Sequence, residues 1–165
     1  MTYTRSVIHG KSALDGHSSI CIVALVIPDL QACLLCDDVR QERNGKFILI
    51  GLFDVINTQQ FPIVFQRMCL VTRWCGGEGE YIQNSRILKP DQKKPIIQGQ
   101  PIPVKLPNTE AMVTNIEFFL NVAFAESGVH WVEILLNNDL KIRFPLRVIQ
   151  ISVPPPAARD EAGKI

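Results

Sequence analysis

Apolar and polar residues alternate most regularly toward the end of the chain. Across residues 116–124, Ile116, Phe118, Leu120, Val122 and Phe124 take every second position, set against Asn115, Glu117 and Asn121, with Phe119 and Ala123 as exceptions. Residues 141–150 repeat the rule, with Ile142, Phe144, Leu146 and Val148 against Lys141, Arg143 and Arg147. A period of two turns one row of side chains into a core and the other toward water. The pattern predicts two strands that place Ile116, Phe118, Leu120, Phe144, Leu146 and Val148 in the core. Ser127-Gly128 and Asn137-Asn138-Asp139 are turn-forming and mark off a further strand over 129–136.

Upstream, residues 30–42 and 46–56 flank Asn44-Gly45, the dipeptide that best accepts the positive φ angles of a tight hairpin. Residues 68–74 and 80–88 flank the reversal Cys75-Gly76-Gly77-Glu78-Gly79, and Pro90-Asp91 closes the second of them. Residues 95–106 carry Pro95, Pro101 and Pro103, which confines them to an edge strand or an extended crossover. Helical spacing finds support only over 30–40. Seven or eight short antiparallel strands imply an all-β fold, a two-layer antiparallel β-sandwich. Its span is 30–152. Residues 1–29 read as a polar arm, and Pro154-Pro155-Pro156 opens a tail over 153–165. One predicted strand breaks the pattern. Residues 46–56 are apolar on both faces, Phe47, Leu49, Phe53 and Val55 on one and Ile48, Ile50, Leu52 and Ile56 on the other. An ordinary sandwich strand needs one apolar face, so a loop, the segment 20–27 or another subunit is expected to cover the second.

Cys36-Asp37-Asp38-Val39-Arg40, then Asn44-Gly45-Lys46 and Ile50-Gly51-Leu52-Phe53, resemble a bacterial family of unknown function. Phe61-Pro62, Leu70-Val71, Arg73-Trp74 and Gly77-Glu78-Gly79-Glu80 add to the likeness, which runs over about 30–152. The resemblance implies a small, mostly β domain and carries over no activity, ligand or catalytic residue. The first 29 residues depart from the family's usual start.

Composition narrows the classes. With 47% hydrophobic and 20% charged residues the chain is globular. At 165 residues it can build a core without disulfides or metal. A formal charge of +1 and scattered basic residues disfavour a nucleic-acid partner and an anionic membrane surface. Five cysteines, an odd number, read as reduced thiols in a cytoplasmic protein. Arg5 and Lys11 ahead of the apolar run 20–27, and the lipoprotein-like Leu30-Gln31-Ala32-Cys33, are the competing signal for export. Pro28-Asp29 interrupts that signal, and Gln31 is not a small residue. No run reaches the ~18 apolar residues of a membrane-spanning helix.

The candidate chemistry is thin. Cys33-Leu34-Leu35-Cys36 has the CxxC spacing of a zinc ligand pair, but inside a strand its odd offset sends the two sulfurs to opposite faces. Asp37, Asp38, Glu42, Glu78 and Glu80 are too dispersed for a calcium cage and suit turn chemistry better. Cys75, at the start of a Gly-Gly turn, is the best candidate for a reactive thiol, and His130 for a base. No GxSxG or phosphate-loop motif accompanies them. Trp74 beside Arg73 offers a recognition patch, although Trp74 shares parity with Leu70 and Met68 and by that reading fills the core. The sequence therefore favours a non-enzymatic module that binds protein or assembles with itself. Ile48, Ile50, Leu52, Arg73 and Trp74 are the candidate contacts, and no cofactor or metal is expected. The rival is a small-molecule-binding or hydrolytic enzyme with a dispersed site, which a polar pocket around His130 or Cys75 would reveal.

Overall fold

The structure is a computed structural model that describes residues 26–152; the expected arm (but for residues 26–29) and tail lie outside that range. Ten strands and no helix make up the described chain: β1 (Asp29–Gln41), β2 (Phe47–Leu52), β3 (Val55–Thr58), β4 (Ile63–Cys75), β5 (Gly79–Leu88), β6 (Pro95–Gln98), β7 (Ile102–Leu106), β8 (Met112–Phe124), β9 (Gly128–Leu136) and β10 (Asp139–Gln150). They form a four-stranded sheet in the order β2-β1-β4-β8 and a six-stranded sheet in the order β3-β10-β9-β5-β6, with β7 also paired to β5. The expected all-β sandwich is present, with ten strands rather than seven or eight. It has one exception to antiparallel pairing, since β3 runs parallel to β10.

The extra strands come from breaks that hydrophobicity does not mark. Residues 46–56 were expected as one strand, but the chain leaves the four-stranded sheet after Leu52 and joins the other sheet at Val55. Its double apolar character is thus partly explained, because Ile56 belongs to the main core and Ile50 does not. The glycine turn at 76–79 likewise carries the chain from β4 in one sheet to β5 in the other, and does not join paired strands. The proline-bearing segment splits into β6 and β7, which share one edge of β5 as expected of an edge. The β1–β2 turn holds only Gly45 at positive φ, with the Gly45 amide donating to the Glu42 carbonyl, so it is a longer turn than the tight form. The tight form closes β9–β10 instead, where Asn137 and Asn138 both take positive φ.

Between the sheets lie Met68, Leu70, Trp74, Phe119, Phe124, Val132, Ile134, Leu146 and Val148. Trp74 fills the core with Leu70 and Met68, as its parity indicated, while Phe144 is only partly buried and Ile142 is exposed. The core expected of β8 is corrected. Phe118 and Leu120 are exposed, at 47% and 57%, and Ile116 is half-buried, whereas Glu117 and Phe119 turn inward. Asn121 sits at φ 53°, and beyond it Val122 and Phe124 are buried. A left-handed residue breaks the simple alternation of sides, so the row that looks continuous from Ile116 to Phe124 faces outward before Asn121 and inward after it. The pairing with β4 stays in register across the break, from Ile63↔Phe124 to Cys75↔Met112.

Candidate interaction face

Cross-strand partners in a sheet share a face, so the ladder identifies the outer surface of the four-stranded sheet. One row runs Leu52, Cys36, Cys69, Phe118 across all four strands. The next runs Leu34, Val71, Ile116, and a third Ala32, Arg73, Thr114. The first two rows are wholly apolar or thiol. Leu52 is 59% exposed and Leu34 41%, yet Cys36 and Cys69 between their neighbours are shut off from solvent. With Val71, and with Val39, Leu49 and Ile116 packed around them, these thiols form a second small core. Among the described residues it has no opposing layer.

Polar groups hold this surface in shape. Arg67, whose guanidinium lies 4.7 Å from the centre of the Phe118 ring, donates to Asp38 Oδ1 at 2.7 Å. Asp38 is the partner of Ile50, and Arg40 that of Ile48. Gly51, at φ 67°, lies so close to the Asp37 carboxylate that a β-carbon there would collide with it. Burial, with the neighbouring Cys69 adding to it, pushes the Cys36 thiol up to about 11, and burial also raises Cys69. Neither is a ready nucleophile.

Of the candidate contacts, Ile48, Ile50 and Leu52 are exposed together on β2. Arg73 is exposed on the outer face and donates to Met112 Sδ at 3.2 Å. Trp74 points the other way, fully buried, with its indole N–H donating to Gln83 Oε1 at 2.8 Å. The pair Arg73-Trp74 is therefore divided between two faces. Leu34, Phe118 and Leu120 are members of the face that the sequence reading did not name; the signal lay in their matching positions on β1 and β8, which only the register reveals.

The other chemical candidates are kept apart. Cys33 faces inward as the partner of Thr72, Cys36 faces outward, and burial pushes the Cys33 thiol up to about 12. His130, the candidate base, is buried; its ring lies edge-on to Phe124 at 4.9 Å, and burial lowers its pKa. One cleft is lined by Asp37, Gly51, Phe53, Asn57, Ile63 and Phe65 among others, and a second by residues 78–80 and 105–107; neither includes His130 or Cys75. Inside the sandwich, Thr72 also donates to Gln83 Oε1, at 2.7 Å, and the Ser85 hydroxyl donates to Glu117 Oε2. Gln83 Nε2, Asn115 Nδ2 and Glu117 Oε1 lack protein partners. No group of three or more metal-ligating side chains gathers among the described residues, and no described helix is long and apolar enough to cross a membrane.

A model of a family of unknown function, DUF6941, matches residues 31–149. No curated protein matches the sequence.

Proposed function

Starting from the chain's membership of DUF6941, a family of unknown function, we propose that it is a non-enzymatic assembly module whose copies pack through the outer face of the four-stranded sheet. The observation that carries this reading is the pair of apolar rows, Leu52-Cys36-Cys69-Phe118 and Leu34-Val71-Ile116. A monomer rarely exposes a contiguous apolar patch beyond a few hundred Å². Sheets whose apolar faces meet pack about 10 Å apart with interdigitated side chains, and the half-exposed Leu34, Phe118 and Leu120 are the side chains such a layer would bury. Each large side chain removed from water contributes about 1.5–3 kcal/mol before ordering costs.

The test is the mass of the full chain in solution, by sedimentation or light scattering over a range of concentrations. The wild type is expected to associate. Phe118→Gln combined with Leu34→Asp should weaken that association by at least about tenfold, with the circular dichroism spectrum unchanged because both positions are substantially exposed. A wild type that stays monomeric at high concentration would overturn the reading.

A further inference from the structure

Four cysteines lie among the described residues, and two of them face one another. Cys36 on β1 and Cys69 on β4 are direct partners in the antiparallel ladder, both on the outer face. Cys33 instead looks inward opposite Thr72, and Cys75 stands opposite Asp29 and Met112. Antiparallel partners lie about 4.5 or 5.5 Å apart at Cα, and a disulfide spans about 4.4–6.8 Å, so the ladder already holds this pair within bonding reach. The Cys36 thiol donates to the Cys69 sulfur, and the Arg67 guanidinium donates to that same sulfur from the same face of β4. Both thiols are shut off from solvent, but their cover is thin. Leu52 and Phe118 along the row, and Leu34 in the next, are themselves exposed, and no layer lies above them among the described residues.

We propose that Cys36 and Cys69 are a dithiol that hydrogen peroxide closes into a cross-strand disulfide. Peroxide is the oxidant such a site admits, because it is small and uncharged and the cover is apolar. The Cys69 thiolate attacks one peroxide oxygen and the O–O bond breaks. The hydroxide released takes up the proton that the thiol gave, leaving a sulfenic acid on Cys69 and one water. The Cys36 sulfur then attacks the sulfenic sulfur, the S–O bond breaks, and the departing oxygen leaves with the Cys36 proton as a second water. Two electrons pass from sulfur to peroxide, and no other reactant is consumed. Burial holds both groups as thiols at rest; the Arg67 contact, acting against burial on Cys69 alone, makes Cys69 the attacking sulfur and Cys36 the resolving one. The bond has a distinct place in the fold. Cys36↔Cys69 is the last pair between β1 and β4, and from Asp38 to Gln41 β1 pairs with β2 alone. A disulfide there staples the β1–β2 hairpin where it leaves the sheet, next to the Arg67–Asp38 ion pair. Both sulfurs belong to one chain, so closure does not depend on the packing of copies.

The test uses the full chain carrying Cys21→Ser, Cys33→Ser and Cys75→Ser, which keeps only the proposed pair, beside the wild type. Both are held dilute enough for copies to stay apart. After exposure to peroxide and then unfolding, the triple variant should show no titratable thiol, its mass should fall by two hydrogens, and dithiothreitol should restore both thiols. The wild type should give the same Cys36–Cys69 linkage by peptide mass mapping, with fragmentation between Cys33 and Cys36 to tell those two apart. The closed form should melt several degrees above the reduced one, because the bond closes a loop of the unfolded chain; an unchanged melting point would deny the staple. Cys36→Ser lacks the resolving thiol, so its Cys69 should pass on to the sulfinic acid, which dithiothreitol does not reverse. Peroxide that leaves both thiols titratable, or a disulfide that joins other cysteines or two chains, would overturn the proposal. So would wild-type Cys69 reaching the sulfinic acid while Cys36 stays a thiol.

Discussion

Glu117 and Glu133 are both carboxylates taken out of water, and their surroundings push them in opposite directions. Glu133 has no exposed side-chain surface; it accepts from Arg86 Nε at 2.5 Å and from Arg143 Nε at 2.7 Å. Burial alone would raise its pKa, but the two guanidiniums outweigh burial and hold it below the ordinary range. Its contribution is therefore present above the unfolded value of about 4.3 and is lost as pH falls through the folded value. Glu117 lies inside the sandwich with the Ser85 hydroxyl as its hydrogen-bond donor, and burial raises it. An acid whose folded pKa is raised contributes most below its unfolded value and loses that contribution as pH rises through the folded one. Glu117→Gln keeps a hydrogen-bond acceptor for Ser85 and removes the ionisation. Urea denaturation should show the variant gaining on the wild type as pH rises from 5 to 8. A difference that stays constant over that range would mean that Glu117 does not titrate there.

At the scale of strands, the lesson of β8 is that alternation gives a period but not a side. Residues 116–120 present apolar groups in both directions, because Ile116, Phe118 and Leu120 belong to the outer apolar face while Phe119 belongs to the core. Counting the longer row as the core was the natural reading, and the left-handed Asn121 reverses it. Phe119→Ala, which empties a fully buried site opposite Met68, should cost about 3–5 kcal/mol in chemical denaturation. Phe118→Ala, one position away, should cost about 1 kcal/mol, mostly from the lost Arg67 contact. Equal costs would return Phe118 to the core. Most of the strands and turns were legible because glycines, prolines and asparagines punctuate them, and the proline-marked edge was read for the right physical reason. The candidate face was legible only on β2, where one segment is apolar in both directions. Its continuation through Leu34, Val71 and Phe118 depends on which strands are neighbours, and strand order is not written in any local pattern.

For the whole molecule, the question is where the described fold draws its first contact. The Val26 carbonyl accepts from the Glu78 amide and from the Tyr81 hydroxyl, each at 3.2 Å. Pro28 is buried against Gly77, where a β-carbon would come within 2.6 Å of it. Every strand of the two sheets described above lies between Asp29 and Gln150. Residues 20–27 were one of the covers expected for the second face of 46–56, and residues 20–25 lie outside the described chain. Removing residues 1–25 separates the possibilities. If copies of the chain cover one another, the truncated protein keeps its melting temperature within a few degrees and sediments like the full chain at equal concentration. If the removed segment is the cover, truncation lays the Leu34-Val71-Ile116 row bare and the protein aggregates beyond the size of the full-length assembly. Self-packing predicts the first outcome, because the same two surfaces remain to meet. Aggregation of the truncated chain, together with a full chain that stays monomeric, would assign the face to its own N-terminal segment.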